Sequence, residues 1–284
     1  MKFTATTLVL SLTLFVGSAT ASCAHGTDLM KRTTFTKRDL SNGRLVERVE
    51  PAAFGYHGAK GPAVWHSLKP EWETCKTGKQ QSPIDLIAGA TKPVEAGAIK
   101  FNFPNVNTTE FENLGTTIEV IMQGKGATTT IDGKVFNMRQ FHFHTPGEHT
   151  INGEYMPLEM HMVHQSDDGN FAVIAVGFQL NENGDLNDVL EQLAPKLYAI
   201  KEPGAITQTG ELDLSSLVAE LSAQPFSNYG GSLTTPPCTE GINFYIAQSP
   251  AQLDVKTFNA IKSIVHFNSR FVQNGIGAGN VLNL

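Results

Sequence analysis

No apolar run in this 284-residue chain reaches the roughly 20 residues that a bilayer-spanning helix needs. The stretch 8–16, preceded by Lys2 and followed by small residues at 19–24, reads instead as the core of a secretory signal peptide cleaved near 21–24. Residues 1–24 are thereby set apart from the fold. The segment 275–284 lacks the hydrophobic tail of a lipid-anchor signal, so no membrane anchor is expected. Basic charge is also short. Lys-Arg pairs at 31–32 and 37–38 mark 25–38 either as a pro-segment with dibasic processing sites or as a solvated terminus. Without residues 1–38 the chain keeps 16 basic residues (21 less five) against 26 acidic (27 less one), a net charge of −10. That balance argues against nucleic acid and anionic membrane surfaces as partners. The expected product is soluble and extracellular.

Cysteine is scarce. Cys23 lies at the cleavage region, which leaves Cys75 and Cys238 as one pair. In an oxidising compartment a disulfide is the default for such a pair, with two buried free thiols as the alternative. The bridge would close a loop of 163 residues, worth roughly 5 kcal/mol in the chain-entropy model. There are two tryptophans, Trp65 and Trp72, both in a Gly- and Pro-rich stretch at 54–86 with little periodicity. It reads as an irregular segment wrapped over a core and anchored by those rings. Asn107-Thr108-Thr109 is a glycosylation sequon in a turn-like stretch. No internal repeat or low-complexity block divides the rest, so 39–284 is expected to form one domain.

What the chain has in quantity is strand signal. Runs at 117–122, 128–131, 139–144, 158–164, 171–178 and 242–247 carry β-branched or aromatic residues, with turn residues such as Gly124, Asp132-Gly133 and Asp168-Gly169 between several of them. Helical spacing is confined to 185–193, 213–221 and 250–265, the last with Ser249 as N-cap and Pro250 in the first turn. The fold class expected is mainly β (α+β): a single domain around a large, twisted, mostly antiparallel sheet with peripheral helices.

Residues 140–149 read Gln-Phe-His-Phe-His-Thr-Pro-Gly-Glu-His. On a strand, Gln140, His142 and His144 share one face, and Phe141 and Phe143 the other. A second stretch, Glu159-Met160-His161-Met162-Val163-His164, places Glu159, His161 and Val163 together. The midpoint between His142 and His161 falls beside Asn152-Gly153, a strong turn signal, so antiparallel pairing sets His161 opposite His142 and close to His144. Three imidazoles with a fourth position left for water make the ligand set of a catalytic zinc site. Gln140 and Glu159, each two residues before a ligand on the same face, are placed to hold the far N–H of His142 and His161.

Together with Gly-Glu-His-Thr at 147–150 and Gly-Ser-Leu-Thr-Thr-Pro-Pro-Cys-Thr-Glu-Gly at 231–241, these motifs resemble the α-class carbonic anhydrases. The match extends to Phe-Gly-Tyr at 54–56, Gly-Pro at 61–62, Trp65, Gln-Ser-Pro-Ile-Asp at 81–85 and Asn-x-Arg at 268–270, in order, from about residue 53 onward. The resemblance implies reversible hydration of carbon dioxide to bicarbonate and a proton, by attack of a zinc hydroxide held on His142, His144 and His161. It implies that Thr234 orients the hydroxide through Glu148, and that Thr235 contacts the bound anion. Val163, Val173, Leu233 and Phe244 would line the CO2 pocket, with Tyr56, Tyr229 and Arg270 in support. Cys75 and Cys238 match the disulfide of secreted members, and Ser82-Pro83 and Pro236-Pro237 are candidates for cis bonds. The partners implied are small molecules, CO2 and bicarbonate, for a monomer or homodimer.

The chain departs from the family pattern at several places. Where the fastest members carry a proton-shuttle histidine, this sequence has Thr116, which does not titrate near neutrality. His57 and His66 in the N-terminal wrap are substitutes by position only, with surface or core roles as the default. Phe244 stands in for a pocket tryptophan, and Phe271 for a proline. Two rival readings are weaker. A cupin wants glycine six residues before the first histidine, where Phe136 stands, and leaves 231–241 unexplained. A binding or adhesion module of the same family would have lost zinc ligands, and here all three histidines, Glu148 and Thr234 are present.

Overall fold

The computed structural model describes residues 34–38, 45–275 and 277–283. The expected signal peptide, Cys23 and the first Lys-Arg pair lie outside the described residues. The first described strand, β1 (Thr34–Arg38), contains the second Lys-Arg pair and pairs antiparallel with β2 (Leu45–Val49). An irregular wrap follows, with two short helices, α1 (Trp65–Leu68) and α2 (Thr74–Thr77). Next come β3 (Lys92–Val94), β4 (Lys100–Asn102), β5 (Glu110–Asn113), β6 (Ile118–Ile121), β7 (Thr128–Ile131) and β8 (Lys134–His144). A small hairpin, β9 (Thr150–Ile151) and β10 (Glu154–Tyr155), precedes β11 (Leu158–Gln165) and β12 (Phe171–Leu180). The remainder is α3 (Asp188–Leu193), β13 (Ile206–Gln208), α4 (Ser215–Ala223), β14 (Phe226–Ser232), β15 (Glu240–Ala247), β16 (Ala251–Leu253) and α5 (Val255–Val265).

One 12-stranded sheet carries the molecule, along the path β13-β5-β6-β8-β11-β12-β15-β14-β3 with β4, β7 and β16 alongside. Pairing is antiparallel except where β12 meets β15 and β16. Two tight turns set the registers that matter. Asp132-Gly133 and Asn152-Gly153 both have positive φ at each residue, 49° and 77° in the first and 50° and 81° in the second. That conformation is what a type I′ hairpin turn requires, and Asn-Gly and Asp-Gly adopt it at least cost.

The period of two sorts the central strands into a dry face and a chemical face. Phe141 and Phe143 of β8, Met160 and Met162 of β11, and Ile174 and Val176 of β12 form one buried layer beneath Leu190, Leu217 and Ile261 of the helices. Fully burying each such side chain contributes about 1.5–3 kcal/mol relative to exposure. The opposite face holds the histidines, with a second apolar cluster that includes Val163, Val173, Leu233 and Phe244. The wrap is pinned by a third cluster of Phe54, Tyr56, Trp65, Trp72, Cys75 and Cys238.

The sequence misplaced the starts of the helices. Residues 251–253, expected in the first helical turn, form β16 beside β12, because Ala251 and Leu253 are buried while Gln252 is exposed, a period of two. Asp254, not Ser249, caps α5, its Oδ1 accepting from the amides of Lys256 (2.8 Å) and Thr257 (3.0 Å). The helix expected from 185 starts at Asp188, capped by Asn187, and the one expected from 213 starts at Ser215.

Cys75 and Cys238 form a disulfide across 163 residues. Both are fully buried, so the bond fastens the loop after β14 to the wrap from inside the core. Replacing both with serine is expected to cost about 2–5 kcal/mol of stability, measured by denaturant unfolding. An unchanged midpoint would show that the wrap is held by its rings alone.

Candidate metal centre

β8 delivers His142 and His144 to one face, and the β8–β11 register sets His161 directly opposite His142 and Glu159 opposite His144. The three rings converge, with centroids 5.0, 5.4 and 4.6 Å apart for the pairs 142–144, 142–161 and 144–161. One ring nitrogen of each lies within 4.8 Å of the others. All three residues are buried.

The far side of each ring fixes which nitrogen faces inward. His142 Nδ1 donates to Gln140 Oε1 (2.8 Å), and His144 Nδ1 donates to the Asn268 carbonyl (2.9 Å). Their Nε2 atoms then carry lone pairs, and these two atoms face each other at 3.1 Å. His161 is held the other way round, Nε2 donating to Glu159 Oε1 (2.7 Å), which leaves Nδ1 toward the cluster. Burial lowers the pKa of His161, against the raising effect of Glu159. Converging lone pairs on neutral rings repel one another unless a cation lies among them. Three imidazoles with no thiolate suit zinc, and each ligand-orienting partner is present. The residues fit the metal.

Glu159 does more than hold His161. Its Oε1 also accepts from His149 Nδ1 (2.6 Å), and its Oε2 from the amides of Glu148 (2.7 Å) and His149 (2.9 Å). Burial works against its ionisation, but His149 and His161, through charge and hydrogen bonds, hold its pKa well below the usual carboxylate range. His149 Nε2 lies 2.7 Å from the Tyr229 hydroxyl, which donates to Ser82 Oγ (2.8 Å). His149, Glu159 and His161 also cluster closely enough to suggest a second metal site. Their short hydrogen bonds to one another account for that proximity instead.

Glu148 sits behind the cluster, its Oε1 3.5 Å from His144 Nδ1 and its Oε2 3.9 Å from His161 Nδ1. Its Oε1 accepts from the Arg270 amide (2.8 Å). Burial pushes the Glu148 pKa well up, while the Arg270 amide and the Thr234 hydroxyl pull it down. Oε2 makes no geometrically complete hydrogen bond, so the approach of Thr234 to this carboxylate is loose. A dication on the histidines would add a strong pull toward the ionised form.

Thr234 and Thr235 lie buried in the loop that follows β14. That loop is closed by Leu233 N to Thr239 O (2.9 Å), Cys238 N to Thr235 O (2.8 Å), the cis Pro236-Pro237 bond and the disulfide. Ser82-Pro83 is cis as well, and so is Thr145-Pro146, which the sequence reading did not single out. Gly231 is needed for close approach, since a Cβ there would collide with Ser82 Oγ and lie 2.6 Å from the Tyr229 ring. Arg270 braces the wrap, its guanidinium donating to the Ser82 carbonyl (2.7 Å), Gln81 Oε1 (2.9 Å) and the Cys75 carbonyl (3.2 Å). Burial brings its pKa down to about 10, with Glu148 opposing. Phe244 stacks on Tyr229 (5.3 Å, 15°) and packs 5.7 Å from the ring of His161.

Thr116 is buried, with its carbonyl accepting from Asn268 Nδ2 (2.9 Å). Asn268, which holds His144 through its own carbonyl, was visible only as part of the Asn-x-Arg motif. Two buried glutamates were missed. Glu112 and Glu119 pair across β5 and β6, and Glu119 lies opposite His142. Reading the face outward from His142 to its other neighbouring strand would have found them.

Comparison with known proteins agrees with this geometry. Residues 60–276 match the model of the eukaryotic-type carbonic anhydrase family. A carbonic anhydrase of Pectobacterium atrosepticum is 33% identical over 223 residues, covering 78% of this chain and 86% of that protein. Alpha carbonic anhydrase 7 of Arabidopsis thaliana is 32% identical over 230 residues, 80% of each chain. The solved fungal alpha carbonic anhydrase from Aspergillus oryzae superposes with a TM-score of 0.78 at 36% identity, over 81% of this chain and 97% of that one. The chain belongs to the eukaryotic-type (α) carbonic anhydrase family of enzymes.

Proposed function

We propose that the protein is a zinc enzyme that hydrates carbon dioxide reversibly to bicarbonate and a proton, with His142, His144 and His161 holding the metal. The observation that carries this reading is the convergence of three imidazoles whose outer nitrogens are already engaged by Gln140, Asn268 and Glu159. Zinc so held lowers the pKa of a bound water to about 7, a value taken over from this enzyme class, and so supplies a nucleophile at neutral pH. The chain supplies the aim. Ionised Glu148 can only accept, so it accepts the hydrogen bond of the Thr234 hydroxyl and leaves the Thr234 oxygen to accept from the nucleophile. Val163, Val173, Leu233 and Phe244 offer an apolar wall for CO2, and Thr235 a hydroxyl for the bicarbonate leaving it.

A CO2 hydration assay with one equivalent of zinc, with and without chelator, tests the reading. Hydration that disappears with chelator and returns with zinc is expected. No hydration by zinc-loaded protein would favour a binding module of the same family. Gln140→Ala is expected to weaken zinc affinity by about 10–100-fold, read by competition with a chromophoric chelator, because it frees the His142 ring to turn.

Residues 39–284 form the catalytic domain in this proposal, following a signal peptide at 1–24 and a segment at 25–38 that is either a pro-segment or a solvated terminus. Secretion is supported by the disulfide. Among the described residues no helix is long and apolar enough to cross a membrane. Asn107 is exposed and so open to glycosylation.

A further inference from the structure

Two neighbouring N–H donors lie beside the three-histidine cluster without an acceptor. Arg139 Nε and Gln140 Nε2 are both buried, and neither has a hydrogen-bond partner among the described residues. A buried donor left unsatisfied is destabilising, so two of them at adjacent positions point to a ligand. Adjacent residues on a regular strand face opposite sides of the sheet, and here the backbone departs from that rule. Met138 and Phe141 both lie in the dry layer, so the two residues between them cannot alternate. The β8–β11 register slips at this point. Val163 pairs with Gln140 and His164 with Met138, which leaves Arg139 as the extra residue of a β-bulge. A bulge sets two residues against one partner and re-aims a side chain. The partner is Val163, which shares the second apolar cluster with Val173, Leu233 and Phe244. Arg139 and Gln140 therefore both flank the apolar wall offered to CO2.

We propose that Arg139 and Gln140 form an oxyanion subsite that takes bicarbonate as it leaves the histidine cluster. This inference rests on the hydration reading and adds to it the binding of the product. Gln140 joins the subsite to the cluster. Its Oε1 accepts from His142 Nδ1 at 2.8 Å, so the amide is fixed and Nε2 is turned away from that ring. Gln140 is fully buried and Arg139 half-buried, so the pair runs from the cluster towards solvent. The guanidinium presents its N–H groups in a rigid fork that matches a planar oxyanion with two parallel hydrogen bonds. Bicarbonate is the planar anion that hydration makes. Without residues 1–38 the chain carries a net charge of −10, which repels that anion at long range. A cation placed at the bulge offsets the repulsion locally. The arginine of the 268–270 motif is already spent, its guanidinium donating to Ser82, Gln81 and Cys75. Lys134, at the start of the same strand, is paired with Asp168 at 2.7 Å. Arg139 binds by hydrogen bonds and charge alone, and no covalent bond changes at the subsite.

Sodium bicarbonate is titrated into the zinc-loaded protein and followed by proton–nitrogen NMR of the side chains. The Arg139 Nε–H signal, assigned by its loss in Arg139→Lys, is expected to move saturably with bicarbonate. Read from the Gln140 amide signals, the bicarbonate dissociation constant is expected to rise about tenfold in Arg139→Met, which removes a charge-assisted fork and keeps an unbranched stem. Arg139→Lys keeps the charge without the fork and is expected to fall between the two. Lys134→Met removes a positive charge from the same strand outside the subsite and is expected to bind bicarbonate as wild type does. An Arg139 signal that bicarbonate does not move, wild-type affinity in Arg139→Met, or an equal loss in Lys134→Met would overturn the proposal. Zinc-loaded wild type that hydrates no CO2 yet binds bicarbonate through Arg139 would remove the function reading and leave the subsite standing, which separates the two failures.

Discussion

His142→Ala is expected to abolish CO2 hydration and to drop bound zinc from one equivalent to a trace, with the fold retained. The side chain makes two contributions that nothing else in the site replaces. Its Nε2 is one of three inward-facing ring nitrogens of the cluster among the described residues, and the remaining two would leave a metal short of the tetrahedral set that proteins use to retain zinc. Its loss also orphans Gln140, whose Oε1 is buried against His142 Nδ1 at 2.8 Å. An orphaned buried acceptor costs about 1–3 kcal/mol. The dry face of β8, with Phe141 and Phe143, is untouched, so the loss of stability should stay modest. Metal analysis of the purified variant, circular dichroism and the hydration assay together check this. A variant that keeps full zinc occupancy would contradict the assignment of His142, whatever its activity. A variant that loses zinc yet hydrates CO2 normally would contradict the use of the metal.

Much of this arrangement is legible in the sequence because it depends on strand alternation and one turn. His-x-His fixes two rings on a face, and Asn152-Gly153 fixes where the chain reverses. The observed pairing of His161 with His142 follows from those two facts. Gln140 and Glu159 were legible for the same reason, being two residues from a ligand. What was not legible came from distant segments. The partner of His144 is a backbone carbonyl 124 residues away, and a carbonyl leaves no trace in residue identity. Glu112 and Glu119 sit on strands too short to show alternation clearly, β5 and β6 having four residues each. The start of α5 was misread because Pro250 fits a first helical turn and a strand edge equally well, and only the burial of Ala251 and Leu253 against β12 decides between them.

Thr234→Ala is expected to lower kcat/KM about 100-fold, close to 2.7 kcal/mol of transition-state stabilisation, while zinc stays bound at one equivalent. The argument turns on hydrogen-bond polarity. Glu148 accepts from the Arg270 amide and stands within 4 Å of His144 and His161, so its carboxylate is fixed in place. Buried carboxylate can receive a proton-bearing group but offers none, and Thr234 is the hydroxyl that approaches it. In the proposed mechanism, a Thr234 hydrogen committed to Glu148 would leave the Thr234 oxygen to accept from the nucleophile and to reject nucleophiles that lack a hydrogen. Alanine removes that filter and leaves Glu148 poorly satisfied in the core. Thr234→Ser keeps the hydroxyl and is expected to stay within a few-fold of wild type, which separates polarity from loop shape. Glu148→Gln supplies the opposite test. An amide can donate where the carboxylate could not, so the Thr234 hydroxyl is free to point into the pocket, and the loss in kcat/KM should approach that of Thr234→Ala. Combining Thr234→Ala with Glu148→Gln should then cost little more than either alone, since both interrupt the same chain of hydrogen bonds. Fully additive losses would show that the two residues act separately.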